Sequence, residues 1–159
     1  MIQVEKSGAL CPNNDQSLFA MQGFGDYIAG GMASSMKCRD YKDATDLIVT
    51  EMTVRRLTPL ECERLQGYPD GWTAMGADNK RYKALGNSIA LPPWAYVLTR
   101  LSICAAEEPT MASLFDGIGG FPLIWEWLNG KGSCKWASEI EDFPIAVTKY
   151  HFPEEDCDI

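Results

Sequence analysis

The sequence predicts an α/β fold of the Rossmann-like, doubly wound kind, here as an incomplete sheet. Three observations predict it. Residues 111–159 alternate short apolar strands with helical stretches, the βαβαβ order of a parallel sheet. A glycine-rich turn, Phe115-Asp116-Gly117-Ile118-Gly119-Gly120-Phe121, joins the first of these strands to a helix. Acidic residues, Glu139 and Asp158, fall at the next two strand positions. Four segments follow from this reading: an irregular piece or remnant over 1–50, a helical block over 51–106, a linker at 107–110, and the βαβαβ start over 111–159.

Residues 1–45 have weak periodicity and are punctuated by Gly23, Gly25, Gly30 and Gly31, which predicts loop. Leu47-Ile48-Val49 reads as a short strand and residues 53–57 as an extended entry to the next block. Thr58-Pro59-Leu60-Glu61 is a helix start: a hydroxyl cap, proline at the first helical position and glutamate at the third. That helix runs from 59 to 66 and stops at Gly67, with Tyr68-Pro69-Asp70-Gly71 as a turn. A second helix is expected from about Asp78 to Gly86. A third, over 93–106, places Trp94, Val97, Leu98, Leu101, Cys104 and Ala105 on one apolar face. Beyond the linker come a strand at 111–115, a helix with Phe121, Ile124, Trp125 and Leu128 on one face and Gly130 as its stop, a strand at 134–138, and a helix near 144–150. Asp158-Ile159 would open a third strand.

Composition narrows the function classes. At 46% hydrophobic and 23% charged residues the chain reads as soluble and globular, with no apolar run of membrane-spanning length. Six dispersed cysteines without C-x-x-C spacing, and a single histidine, argue against a zinc site and for reduced thiols in a cytoplasm. The net charge of −8 opposes a phosphate-driven grip on nucleic acid. Arg55, Arg56, Arg64, Lys80, Arg81 and Lys83 nevertheless gather within residues 55–83. They read as a solvated face, or as one side of a DNA contact completed by a basic partner segment.

The glycine turn is not G-x-G-x-x-G, because Pro122 stands at the third glycine and removes an N–H that a pyrophosphate would use. A plain tight turn is one reading; a site for a ligand without phosphates is the other. Glu139 favours the second. It lies about 20 residues after the turn, where such folds place an acid on ribose hydroxyls. Asp158 would then accept from an adenine amino group. A glycine turn followed by two acids at successive strand ends is the layout of an S-adenosylmethionine site.

Two blocks carry a more specific likeness. Arg55-Arg56-Leu57-Thr58-Pro59-Leu60-Glu61-Cys62-Glu63-Arg64-Leu65-Gln66-Gly67-Tyr68-Pro69-Asp70-Gly71-Trp72, with Gly86-Asn87-Ser88-Ile89, resembles the C-terminal end of the DNA cytosine-5 methyltransferases. Ala112-Ser113-Leu114-Phe115-Asp116-Gly117-Ile118-Gly119-Gly120, Ser138-Glu139-Ile140 and Asp158-Ile159 resemble their N-terminal cofactor half. The resemblance implies methyl transfer to C5 of cytosine in double-stranded DNA, with S-adenosylmethionine bound by Phe115, Asp116, Gly117, Ile118, Gly119, Gly120, Ser138, Glu139, Ile140, Asp158, Ile159, Asn87, Ser88 and Ile89. Where the family often has Trp stacking on adenine, this chain has Ile140.

The blocks stand in inverted order, joined by the linker at 107–110. Circular permutation explains that, since nearby termini tolerate it; so does fusion of one enzyme's tail to another's start. The family's nucleophile lies in Pro-Cys, and its base-contacting glutamate in Glu-Asn-Val. Neither occurs here; Cys11 precedes Pro12 in the reverse order. No catalytic residue is therefore assigned, and the isolated chain is expected to be inactive. Three readings stay open: an incomplete methyltransferase, completed by a second polypeptide carrying the catalytic loop or truncated; a non-catalytic subunit or remnant that complements or regulates a partner methyltransferase; and an unrelated nucleotide-binding α/β protein.

Overall fold

In the computed structural model, residues 17–21, 27–29, 47–49, 54–105 and 108–153 are described. Four short strands come first: β1 (Ser17–Met21), β2 (Tyr27–Ala29), β3 (Leu47–Val49) and β4 (Val54–Arg56). They form an antiparallel sheet in the order β2-β1-β3-β4, with Phe19 opposite Ala29 and Leu47 opposite Arg56. The strand at Leu47–Val49 and the extended entry to the helical block are found as read. Strands β1 and β2 correct the expectation of loop over 1–45. Runs of five and three residues are too short for alternation to stand out, and β1 also depends on pairing with the distant β3.

Helices α1 (Pro59–Gln66), α2 (Asp78–Asn87) and α3 (Leu91–Cys104) follow. The start of α1 is a full capping box: Thr58 Oγ1 accepts from the Glu61 amide and Glu61 Oε2 accepts from the Thr58 amide at 2.8 Å. Gly67 ends the helix at φ +85 and donates to the Arg64 carbonyl. Helix α3 begins at Leu91, two residues before the predicted start. Pro92 and Pro93 occupy its first turn, where amides lack helical partners anyway.

The second unit is β5 (Met111–Leu114), α4 (Gly120–Asn129), β6 (Cys134–Ser138) and α5 (Asp142–His151). Strands β5 and β6 run parallel, Leu114 opposite Ser138, with α4 as the crossover. This mixed α/β arrangement agrees with the predicted class; the described residues show two parallel strands of it. The expected third strand at Asp158-Ile159 lies outside the described residues.

The two sequence blocks share one core. Cys62, Tyr68, Trp72, Leu85, Leu91 and Leu98 from the first pack with Ile118, Leu123, Ile124, Val147 and Phe152 from the second. Helix α3 lies against α4, where Trp94 meets Phe121 edge-on at 5.1 Å and Ser102 donates to Asn129 Oδ1 at 2.5 Å. Two predicted faces need correction. On α3 only Leu98 of the proposed stripe is buried; Trp94, Val97, Leu101 and Cys104 are exposed. On α4 the buried set is Leu123, Ile124 and Trp125, with Leu128 at the surface. Periodicity locates an apolar stripe but not the neighbour that covers it.

Candidate functional site: the glycine turn and its supports

The turn at 115–120 leaves β5 through three residues with positive φ. Phe115 sits at +54, Gly117 at +64 and Gly119 at +80. An aromatic residue in the left-handed region is strained by about 1–2 kcal/mol, a cost that points to a constrained, functional turn. Phe115 is also 88% exposed, a large apolar ring held out into solvent.

The glycines divide into two kinds. A Cβ on Gly117 would meet nothing within 4 Å, so its outer side is open to a ligand. A Cβ on Gly119 would stand 2.9 Å from the Phe152 ring, and one on Gly120 2.5 Å from the Tyr68 hydroxyl and 2.9 Å from Ile89. Those two are glycine because protein, rather than ligand, approaches them. Ile118, between Gly117 and Gly119, is wholly buried, and its carbonyl accepts from Trp72 Nε1 at 2.7 Å.

Glu139, just after β6, reaches across to the turn. Its Oε2 accepts from the Gly117 amide at 2.7 Å, and its Oε1 from the amides of Ile140 at 2.6 Å and Glu141 at 3.1 Å. Burial works to raise its pKa, but these three N–H groups outweigh it and hold the carboxyl below its ordinary value. Of the four acceptor positions on a carboxylate, Oε1 has committed two and Oε2 one. One acceptor position remains uncommitted by these bonds, on a residue already bound to the Gly117 amide. Ile140, beside it, is 85% exposed.

Asp116 turns inward. Its Oδ1 accepts from the Ser113 hydroxyl at 2.6 Å, and its amide donates to the Ser138 carbonyl at 2.9 Å, tying the turn to β6. Burial lifts its carboxyl; the Ser113 bond opposes this and the charge on Glu139 adds to it, leaving the group at about 6.

From the first block, Ser88 caps the end of α2 and shares a 2.5 Å hydrogen bond with the Tyr68 hydroxyl, beside Gly120. Ile89 packs on Gly120 and Asn87 is exposed. Of the residues singled out from sequence, the structure thus gathers Phe115, Asp116, Gly117, Ile118, Gly119, Gly120, Ser138, Glu139, Ile140, Ser88 and Ile89 around one turn. Phe115 and Ile140 are exposed, Gly117 is open on its outer side, Glu139 is half-buried, and Asp158 and Ile159 are outside the described residues.

A supporting layer escaped the sequence reading. Trp72 stacks on His151 at 3.5 Å and 3°, and His151 Nε2 donates to the Trp72 carbonyl at 2.8 Å. Thr148 donates to the Gly117 carbonyl at 3.4 Å. Trp72 stood inside the Arg55-to-Trp72 block and could have been suspected; His151 and Thr148 carry no local signal.

The basic cluster is largely taken up inside the protein. Arg55 forks onto Glu61, Arg64 onto Asp70, Arg81 reaches Glu63 and Asp78, and Lys83 reaches Glu141. Glu63 is fully buried and also accepts from the Gly71 and Thr73 amides, so Arg81 answers a structural charge.

Residues 14–102 match the family described as C-5 cytosine-specific DNA methylase. The chain is similar to the DNA N-6-adenine-methyltransferase of Escherichia phage P1, at 27% identity over 57% of this chain and 25% of that protein. It is also similar to the type II methyltransferase M.HpaII of Haemophilus parainfluenzae, at 46% identity over 41% of this chain and 20% of that one. With M.BanI of Aneurinibacillus aneurinilyticus the figures are 50%, 31% and 12%. The chain thus spans a quarter or less of the length of these relatives.

Proposed function

The chain belongs to the C-5 cytosine-specific DNA methylase family, and from that premise we propose that it is the cofactor-holding part of an S-adenosylmethionine-dependent enzyme that methylates C5 of cytosine in double-stranded DNA. The observation that carries the reading is the open face of Gly117, whose amide is bound by the half-buried Glu139, within a turn strained at Phe115. The residues fit the group: exposed Phe115 and Ile140 offer apolar surface to a purine, Glu139 offers an acceptor to a ribose hydroxyl, and Gly117 admits close approach. S-adenosylmethionine would supply an activated methyl group. Ser88, Ile89, Tyr68 and Trp72 act from behind, holding the turn in shape.

The inverted block order is consistent with this assignment, because the helical block supplies the floor of the turn whichever way the chain runs. We read the order as a circular permutation, with gene fusion as the rival. The 159 residues contain no Pro-Cys and no Glu-Asn-Val. Methyl transfer therefore requires further polypeptide, either a second chain or more of this one. The same observation supports a second reading, a non-catalytic subunit or remnant that complements or regulates a partner methyltransferase.

Calorimetric titration with S-adenosylmethionine tests the site. Gly117→Asp places a side chain on the open face in a conformation Asp tolerates, and Glu139→Ala removes the acceptor. Both are expected to weaken binding at least tenfold while the fold is retained. Unchanged affinity in both sinks the assignment. Gly119→Asp is a poorer probe, because it collides with Phe152.

A further inference from the structure

We propose that Asp116 determines cofactor charge preference, favouring the sulfonium of S-adenosylmethionine over the neutral thioether left after methyl transfer. The inference rests on the reading of the 115–120 turn as the cofactor site. Asp116 is only 6% exposed. Its Oδ1 is held by Ser113, while its Oδ2 is buried without a hydrogen-bond partner among the described residues. A buried polar atom left without a partner is uncommon and asks for an explanation.

The two acids of the turn differ in this respect. Glu139 has three N–H donors on its carboxylate, and its charge is well compensated. Asp116 accepts from the Ser113 hydroxyl, Thr148 and the Gly119 amide lower its carboxyl further, and no ion pair to it is formed among the described residues. Its backbone precedes Gly117, whose outer side is open. A cation arriving at that glycine therefore comes close to a negative charge that no cationic side chain among the described residues balances. At an effective dielectric constant of about 20, such an attraction persists beyond contact distance.

The ligand chemistry meets this field. S-adenosylmethionine carries one positive charge more than S-adenosylhomocysteine, located at the sulfur where the methyl group is attached. Loss of the methyl group removes that charge, so the hold of Asp116 weakens once transfer has occurred. Apolar contacts with Phe115 and the acceptor on Glu139 do not distinguish the two ligands; a charge behind the glycine does.

The test is calorimetric titration of the full chain with S-adenosylmethionine, S-adenosylhomocysteine and sinefungin, whose amine keeps a positive charge at that place. It is run on the wild type, Asp116→Asn, Asp116→Ser and Ser113→Ala, with circular dichroism as the check on folding. Asp116→Asn is expected to weaken S-adenosylmethionine and sinefungin about tenfold relative to S-adenosylhomocysteine. Asp116→Ser, which removes the charge with a different shape, is expected to do the same, and Ser113→Ala to keep the wild-type ratio. Equal weakening of all three ligands, or an unchanged ratio in whichever Asp116 variant folds, overturns the inference while leaving the cofactor site in place. No binding of any of the three to the folded wild type overturns the cofactor reading itself, and this inference with it.

Discussion

Asp116 gives the folded state a distinctive pH response. Folding lifts its carboxyl from an ordinary 3.8 to about 6, so the folded protein binds that proton more tightly than the unfolded chain does. Its contribution is fully present below about pH 4 and lost as pH rises through about 6, a change of roughly 3 kcal/mol. Glu61 and Glu139 act in the opposite sense. Each is raised by burial but lowered further by hydrogen bonds, so its contribution is present above the ordinary carboxylate range and lost as pH falls. Asp116→Asn is expected to melt several degrees above the wild type at pH 7.5, with the gap closing near pH 4. A lower melting temperature at pH 7.5 would show that the carboxylate is compensated by something other than Ser113. Trp72 is the other residue with a specific expectation. Trp72→Phe removes the N–H that satisfies the buried Ile118 carbonyl and should destabilise the fold by about 2 kcal/mol in chemical denaturation. Sequence placed Asp116 in the glycine turn and Glu139 at the end of the next strand, because each follows a strand at regular spacing. It could not show that Asp116 is buried and Glu139 half-buried, which depends on Ser113, Thr148 and the packing of β6.

At the scale of elements, what could be read depended on whether the signal was local. The start and stop of α1 were legible because Thr58, Glu61 and Gly67 act within a few residues of one another. Thr58→Ala should therefore cost about 1 kcal/mol, read as a shift in urea midpoint with unchanged slope; no shift would mean that Arg55 and Glu61 hold the helix start unaided. The strands β1 and β2 were missed, because the runs are short and β1 is held between β2 and the distant β3. Contact between blocks was illegible as well. Gly120 looks in sequence like a ligand glycine, yet Tyr68 and Ile89 occupy the space a side chain would need. Gly120→Ala should destabilise the protein by about 1–3 kcal/mol even without ligand. A variant as stable as the wild type would show that the two blocks are less closely packed at that point.

For the whole molecule, one core is shared by residues of the helical block and of the βαβα unit that follows it. What that core leaves uncovered is as informative as what it buries. Tyr96, Leu101 and Ile103 on α3, Trp127 on α4, and Leu114 and Trp136 on the parallel strands are all exposed. Strands β5 and β6 pair only with each other among the described residues. Parallel strands are ordinarily covered on both faces, and apolar surface of this extent favours association. Sedimentation should show concentration-dependent self-association, reduced by Leu101→Lys with Ile103→Glu; a monomer at every concentration would contradict that expectation. The chain spans a quarter or less of the length of the relatives it matches. The central claim is that both blocks form a single folded unit whose glycine turn holds S-adenosylmethionine. Differential scanning calorimetry of the full chain, with and without saturating S-adenosylmethionine, tests it most directly. The account predicts one cooperative transition that moves several degrees upward with ligand in the wild type and stays in place in Glu139→Ala. Two separate transitions, or a single one indifferent to S-adenosylmethionine, would contradict it.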